Sequence, residues 1–346
     1  MGTMNAGGAG VRYCRGGLDH VLLEPPGIRV SGWLLHPTIP LSDVTIAIGG
    51  SDLGHASIEP RPDVAKLFAA IPHAGASGFR LAAELPALVH RTPELTVTCE
   101  TAAGTVQYRS VLPEPVPTGP FPPPELMWRV SGNADPAVFH AVGRQAAADF
   151  VRAIDAASHG GRPAAILDWG CGSGRVTHHL VQHLPGTLIT GCDIDATAIS
   201  WCRNRFKGLR FECHSTLPPL PFATASFDVV LGSSVLTHLD AAHQAAWIRE
   251  IHRVLKPQGR LIASTHGGFA AAFFPDLTRD LETAGIIDAI RDPTLDALCP
   301  ETYYRSVFQT KQYTEKMLNP FFAMEAYTEA GLAGFQDLFT AVRLPH

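Results

Sequence analysis

The 346-residue sequence contains no run or stripe of Lys and Arg; its 27 basic residues are scattered among 32 acidic ones, for a formal net charge of −5. A nucleic-acid substrate normally leaves a basic footprint, so RNA and DNA are not expected as partners. No CxxC pair occurs either. The seven cysteines (Cys14, Cys99, Cys171, Cys192, Cys202, Cys213 and Cys299) are odd in number and read as buried small apolar residues in a reducing compartment. Met1–Gly10 lacks the basic-then-apolar pattern of a signal peptide, and no apolar run reaches membrane-spanning length. The expectation is a soluble, cytoplasmic protein without a membrane partner. Internal repeats and low-complexity segments are absent too. What is present is a globular composition, 46% apolar and 17% charged, in a chain longer than one core usually supports.

The sharpest break is 113–124, PEPVPTGPFPPP, where seven of twelve residues are proline. Such a segment favours an extended, semi-rigid conformation and reads as a linker. Residues 1–112 before it carry short apolar stretches between Pro, Gly and Asp. Val44, Ile46 and Ile48 alternate as a half-buried strand should, and a small β-sandwich domain is predicted, with a helical turn or two near Asp63–Ala70.

Over 125–346 the period changes, and strands alternate with helices as in a doubly wound parallel α/β sheet. Strands are predicted at Ala165–Trp169, Thr187–Asp193, Leu209–Cys213, Phe227–Gly232 and Leu261–Ser264. Helices are predicted at Ala137–Ala156, Arg175–His183, Ala196–Phe206 and Asp240–Leu255, the last stopping at Pro257-Gln258-Gly259. Phe269–Leu298 reads as an inserted helical excursion. Phe322–Tyr327 and Gln336–Val342 read as a closing hairpin.

The decisive stretch is Ile166-Leu167-Asp168-Trp169-Gly170-Cys171-Gly172-Ser173-Gly174-Arg175, a strand entering a glycine-rich turn that opens a helix. Glycine permits both the sharp turn and close approach of a ligand. A dinucleotide site has the spacing GxGxxG, with a helix N-terminus aimed at a pyrophosphate. Here the spacing is DxGxGxG, and the leading acid suits a cationic ligand such as S-adenosylmethionine. Asp193, about twenty residues on at the end of the next strand, stands where an acid reads a ribose diol. The competing role, capping the helix from Ala196, suits Asp195 better.

ILDWGCGSGR, GCDIDATAISWC, LPPLPFATASFDVV, GSSVLTHL and EIHRVLKPQGRLIAST, in that order, resemble class I S-adenosylmethionine-dependent methyltransferases of the small-molecule type. The resemblance implies a Rossmann-like seven-stranded sheet with a reversed last hairpin. It also implies a cofactor site at Asp168, Gly170, Cys171, Gly172, Gly174, Asp193, Ile194, Gly232, Ser233 and Ser234. Relatives often carry an acid after the third strand for the adenine. This chain has His214-Ser215-Thr216 there, which moves the expectation to Ser215, Leu217 or backbone groups. The WC and SVLTHL features and the Tyr303-Tyr304-Arg305 tail resemble bacterial methyltransferases of glycan pathways. Ser31-Gly32-Trp33, Arg61-Pro62-Asp63 and Ser77-Gly78-Phe79 are similar to a small β-domain that accompanies bacterial glycosyltransferases.

Methyl transfer to a hydroxyl needs positioning and a base. His238 and His266, after the fourth and fifth strands, are the candidates, each with a structural alternative. Tyr303, Tyr304 and Arg305 are candidates for the acceptor pocket. His179 and His183 have helical metal-pair spacing but no accompanying Glu or third ligand, so no metal is expected and solvated histidines are. Arg175 is expected either in a surface salt bridge or beside Asp168 and the cofactor. Phe139 and Gly143 are candidates to cover the cofactor, and Trp201 reads as core. The expected activity is O-methylation of a sugar, glycan or glycosylated metabolite. The alternatives are an N- or C-methyltransferase of a small natural product and a non-catalytic S-adenosylmethionine-binding module. The oligomeric state is open.

Overall fold

The computed structural model describes residues 12–24, 26–85, 94–101, 104–158 and 161–345; Met1–Gly10 lies outside them. The chain forms two compact units, Met1–Glu114 with Ala272–Pro275, and Pro115–Ala271 with Asp276–His346.

The first unit holds β1 (Arg12–Tyr13), β2 (Arg15–Glu24), β3 (Gly27–Leu35), β4 (Val44–Ile48), β5 (Ser51–Glu59), β6 (Gly78–Glu84), β7 (Glu94–Thr101) and β8 (Gly104–Val111), with helix α1 (Pro62–Leu67) between β5 and β6. Their order is β1-β8-β7-β4-β5-β6-β3-β2. The ends of this row, β1 and β2, are one stretch of chain joined at Cys14, whose N–H donates to the Gln107 carbonyl. Val44, Ile46 and Ile48 alternate inward, and with Leu95, Val97, Val106 and Phe79 they form its apolar core. Two of the quoted motifs do packing work. A Cβ on Gly32 would lie 2.2 Å from the Gly17 carbonyl, so only glycine allows β2 and β3 their spacing there. Arg61 clasps Asp19 and Asp63 at 2.7 and 2.6 Å.

The second unit begins at Pro115, inside the proline-rich stretch. Pro124 starts a helix that the sequence reading missed, α2 (Pro124–Ser131), and Gly132 ends it at φ 62. Next come α3 (Pro136–Ser158), β9 (Ala165–Trp169), α4 (Thr177–His183), β10 (Leu188–Asp193), α5 (Ala196–Arg205), β11 (Arg210–Cys213), β12 (Phe227–Gly232), α6 (Ala241–Val254) and β13 (Leu255–Thr265). The order β11-β10-β9-β12-β13-β17-β16 includes the closing strands β16 (Phe322–Leu332) and β17 (Gln336–Arg343). β17 runs antiparallel to β13 and β9 to β13 run parallel. This is the expected seven-stranded sheet with a reversed hairpin.

The strands read as near-continuous apolar runs because both faces are covered. Leu167, Trp169, Val230 and Leu261 pack on Trp247, Ile248 and Ile251 of α6. Ile166, Val229, Leu231 and Ile262 point the other way, onto Phe150, Ile154 and Leu180 of α3 and α4.

Two expectations are corrected. Helix α6 ends at Val254, and Pro257-Gln258-Gly259 lies within β13, where the register shifts and Gln258 takes φ 63. The 269–298 segment is only partly helical. After α7 (Gly268–Ala271) and α8 (Pro275–Ala284), the apolar run following Gly285 forms β14 (Ile286–Arg291), which pairs with β15 (Arg305–Gln309). β-Branched residues after a glycine stop favour a strand over more helix. A further helix, α9 (Lys311–Leu318), is capped by Thr310. Among the described residues no helix is long and apolar enough to cross a membrane.

Candidate functional site

At the carboxyl ends of β9, β10 and β12 a cleft opens, at the point where an open parallel sheet takes its ligands. The chain leaves β9 through Gly170, Gly172 and Gly174, at φ 72, 52 and 80, a backbone region that side-chain-bearing residues rarely adopt. The Gly170 and Cys171 N–H groups both donate to the Cys192 carbonyl at 2.8 and 3.0 Å, which ties the loop to β10.

Two carboxylates line the cleft. Asp193 organises the loop: its Oδ2 accepts the Gly172 N–H at 2.7 Å and its Oδ1 the Asp195 N–H at 2.8 Å. A carboxylate has about four lone-pair sites, so acceptor capacity remains. Asp168 Oδ2 accepts the Thr177 hydroxyl at 2.5 Å, while its Oδ1 is buried without a donor. Burial raises both pKa values to about 6, the Asp193 charge adding to the rise at Asp168. An unsatisfied buried acceptor and two desolvated acids favour a ligand that brings positive charge and N–H or O–H donors.

Asp195 caps α5, accepting from the Thr197 and Ala198 N–H groups, a bond set worth ~1 kcal/mol. Its other oxygen accepts from Arg129 Nη1 at 2.5 Å. Arg129 lies on α2, whose Leu126 and Val130 also wall the cleft. Proline at the first turn and glycine after the last are start and stop signals that could have revealed α2.

His238 ends a short 3-10 turn after β12 and lines the cleft. Its Nδ1 lies 2.8 Å from the Arg305 carbonyl, so Nδ1–H donates there and Nε2 keeps its lone pair. The ring stacks on Tyr304 with centroids 4.0 Å apart and planes 12° apart. Burial lowers its pKa, which keeps the imidazole neutral. Tyr303 accepts from Trp247 Nε1 at 3.3 Å, and burial pushes it up to about 12. Both tyrosines line the cleft, as do Gly170, Cys171, Ile194, Ser233 and Ser234.

Other expected residues stand elsewhere. Gly174 does not line the cleft; its Cβ would lie 2.8 Å from the Phe206 ring, so it serves packing. Gly232 faces Ala263 and Trp169 inside the sheet. Ser215 and Leu217 form an exposed turn in which the serine hydroxyl donates to the Leu217 carbonyl at 2.6 Å. His214 lines the cleft in their place, fixed by its Nδ1 at 2.8 Å from the Ser215 carbonyl. The Arg305 guanidinium is spent on the Thr302 and Ala289 carbonyls, and its backbone oxygen, holding His238, is what reaches the site.

His266 is also misplaced for a base at the cleft. It sits between Phe308 and Phe335, 3.4 Å from Gln336, and burial drives its pKa down to about 4. Phe139 and Gly143 lie behind the loop: Phe139 lines a second cavity, and a Cβ on Gly143 would meet the Arg175 carbonyl. His179 is buried beside His140 and His178 rather than solvated. Trp201 is half-buried at the same second cavity. Among the described residues no group of three or more His, Cys, Asp or Glu is arranged to hold a metal.

Residues 166–259 match the family described as a methyltransferase domain. Over 109 residues the chain is 34% identical to a malonyl-acyl-carrier-protein O-methyltransferase from Hahella chejuensis, covering 31% of this chain and 38% of that protein. Over 96 residues it is 32% identical to a fatty-acid O-methyltransferase from Mycolicibacterium smegmatis, covering 27% and 34%. The chain thus spans well under half the length of these two relatives. A solved 1,6-didemethyltoxoflavin-N1-methyltransferase from Burkholderia thailandensis is 17% identical, with a TM-score of 0.44, over 75% of this chain and 99% of that one. The glycine loop, Asp193 and the His238 turn all lie within the stretch 166–259 that matches the methyltransferase-domain family.

Proposed function

We propose that the protein is an S-adenosylmethionine-dependent O-methyltransferase acting on a hydroxyl of a sugar, glycan or glycosylated metabolite. One observation carries the oxygen assignment: a neutral His238, locked by the Arg305 carbonyl, leaves Nε2 as a free proton acceptor in the cleft that also holds the glycine loop. Bound there, S-adenosylmethionine supplies an electrophilic methyl group. The chain's residues fit it: Asp168 and Asp193 offer acceptors to its ammonium and ribose, and the turn at Gly170–Gly174 keeps side chains out of its path. His214 stands at the adenine end. His238 takes the acceptor's proton, and Tyr303, Tyr304, Leu239 and Leu295 wall the acceptor end, which holds no Lys or Arg among its described residues. That neutral wall supports an uncharged hydroxyl over a carboxylate, the acceptor class suggested by the names of the malonyl and fatty-acid relatives. The β unit, read as a small sandwich, binds or orients the carbohydrate; its likeness to domains accompanying glycosyltransferases supports this.

The test is transfer of labelled methyl into fractionated extract of the cells the protein comes from. Label in glycans or sugar-bearing metabolites is expected; label only among small metabolites that carry no sugar overturns the carbohydrate acceptor and favours an N- or C-methyltransferase of natural products.

Asp193→Ala is expected to weaken S-adenosylhomocysteine binding roughly 30- to 150-fold, or ~2–3 kcal/mol, because charge-assisted bonds are lost. Asp193→Asn, which can still accept one N–H, should fall between. Calorimetry showing unchanged affinity contradicts the ribose assignment.

The same two acids set a pH dependence. Their pKa values are raised, so they are ionised above about pH 6 and neutral below it. Affinity for S-adenosylhomocysteine should be flat above pH 7 and fall about tenfold per unit below 6 for each carboxylate that must be charged. A constant affinity from pH 5 to 8 excludes this role.

A further inference from the structure

Behind the glycine loop, Ser173 and Arg175 border a second, smaller cavity as well as the cleft. Four aromatic rings, Phe121, Phe139, Trp201 and Phe206, help to wall it, and residues 117–122 of the proline-rich stretch run along it. Arg175 and Arg205 supply its charge, and among the described residues no Asp or Glu lines it. Burial holds the lining His178 and His179 below the ordinary histidine range, so both are neutral.

Three lining residues carry buried donors that find no acceptor: the Ser173 hydroxyl, Arg175 Nε and Trp201 Nε1. Ser173 is only 1% exposed. Buried donors are almost always paired, and each orphan costs free energy. Burial lowers the Arg175 pKa to about 10 although the Asp168 charge acts to raise it, and the cavity has no acidic side chain of its own among its described lining residues. Arg205 is held by the Pro120 carbonyl through Nε, with its guanidinium over the Phe206 ring at 5.5 Å.

We propose that this cavity is a second ligand site, separate from the methyl-transfer cleft, for a small carboxylate with an apolar, planar body. The carboxylate pairs with Arg175, Ser173 and Trp201 Nε1, with Arg205 adding charge, and the body lies among the aromatic rings. Rings and prolines have little to offer a bare inorganic anion, so the apolar body separates this ligand from free phosphate.

The test titrates benzoate, and separately inorganic phosphate, into the full-length protein by calorimetry with S-adenosylhomocysteine present in excess. Saturable one-to-one benzoate binding is expected, weakened about tenfold or more by Arg205→Gln and by Trp201→Phe, which removes the donor and keeps an aromatic ring. His238→Asn should leave it unchanged. Thermal melts of each variant check folding; because Arg205 also holds the proline stretch, Trp201→Phe decides if Arg205→Gln melts early. No saturable benzoate heat, benzoate binding that survives Trp201→Phe, or phosphate binding in its place overturns the proposal. S-adenosylhomocysteine binding is titrated alone first, so failure of the cofactor reading shows separately.

Discussion

His238→Ala is expected to lower kcat by about 10²–10⁴-fold, the range a positioned base contributes, while S-adenosylhomocysteine affinity stays within about threefold. The asymmetry follows from geometry. His238 stands at the acceptor end with its Nδ1 on the Arg305 carbonyl, whereas Asp168, Asp193 and the glycine loop are the cofactor's proposed partners. Alanine also unstacks Tyr304, so a second variant is needed. His238→Asn can still donate to the Arg305 carbonyl but has no basic nitrogen in place of Nε2; it should lose as much rate as alanine while melting near wild type. A rate that asparagine restores would make His238 a support for Tyr304 and the Arg305 strand, and the base would have to be sought elsewhere. If either variant transfers methyl at the wild-type rate, the acceptor needs no base, as a carboxylate or an uncharged amine would not.

Gly172→Val should remove S-adenosylhomocysteine binding beyond detection while the protein still unfolds cooperatively. Gly172 sits at φ 52, and a Cβ there would lie 2.4 Å from Val130 Cγ1 on α2. A side-chain-bearing residue in this left-handed region costs roughly 1–2 kcal/mol. The added branches would also push α2 off the cleft and disturb the Gly172 N–H bond to Asp193. Two walls and one carboxylate of the site are therefore lost at one position. For a chain of this size, each kcal/mol lowers Tm by only about 2–4 °C, so the fold should survive. Circular dichroism melts beside calorimetry separate the two effects; a variant that melts lower yet binds normally would show that the loop does not hold the ligand.

The parts of the second unit that were legible in the sequence are those written in short-range patterns. The apolar run Ala165–Trp169 followed by three glycines announces both a buried strand and its sharp exit, and in the first unit the alternation of inward residues on β4 is equally local. The parts that were not legible depend on distant partners. Nothing near Arg129 says that it will meet Asp195, because that bond joins residues 66 apart. Arg305 drew attention through its guanidinium, yet its carbonyl is what orients His238, and a sequence does not show which backbone oxygen a side chain will find. His266 follows a strand at the right edge, as a base would. Its exclusion from the cleft is set by Phe308, Phe335 and Gln336, which arrive from β15, from the turn before β17 and from β17 itself. Ser215 and His214 are neighbours, and only the course of the chain after β11 decides which one lines the cleft.

The most direct test of the cofactor cleft is a calorimetric titration of the wild-type protein with S-adenosylhomocysteine, with Gly172→Val in parallel. The account predicts saturable one-to-one binding to the wild type and none to the variant. Absence of binding to the folded wild type, or equal binding to both, would contradict it.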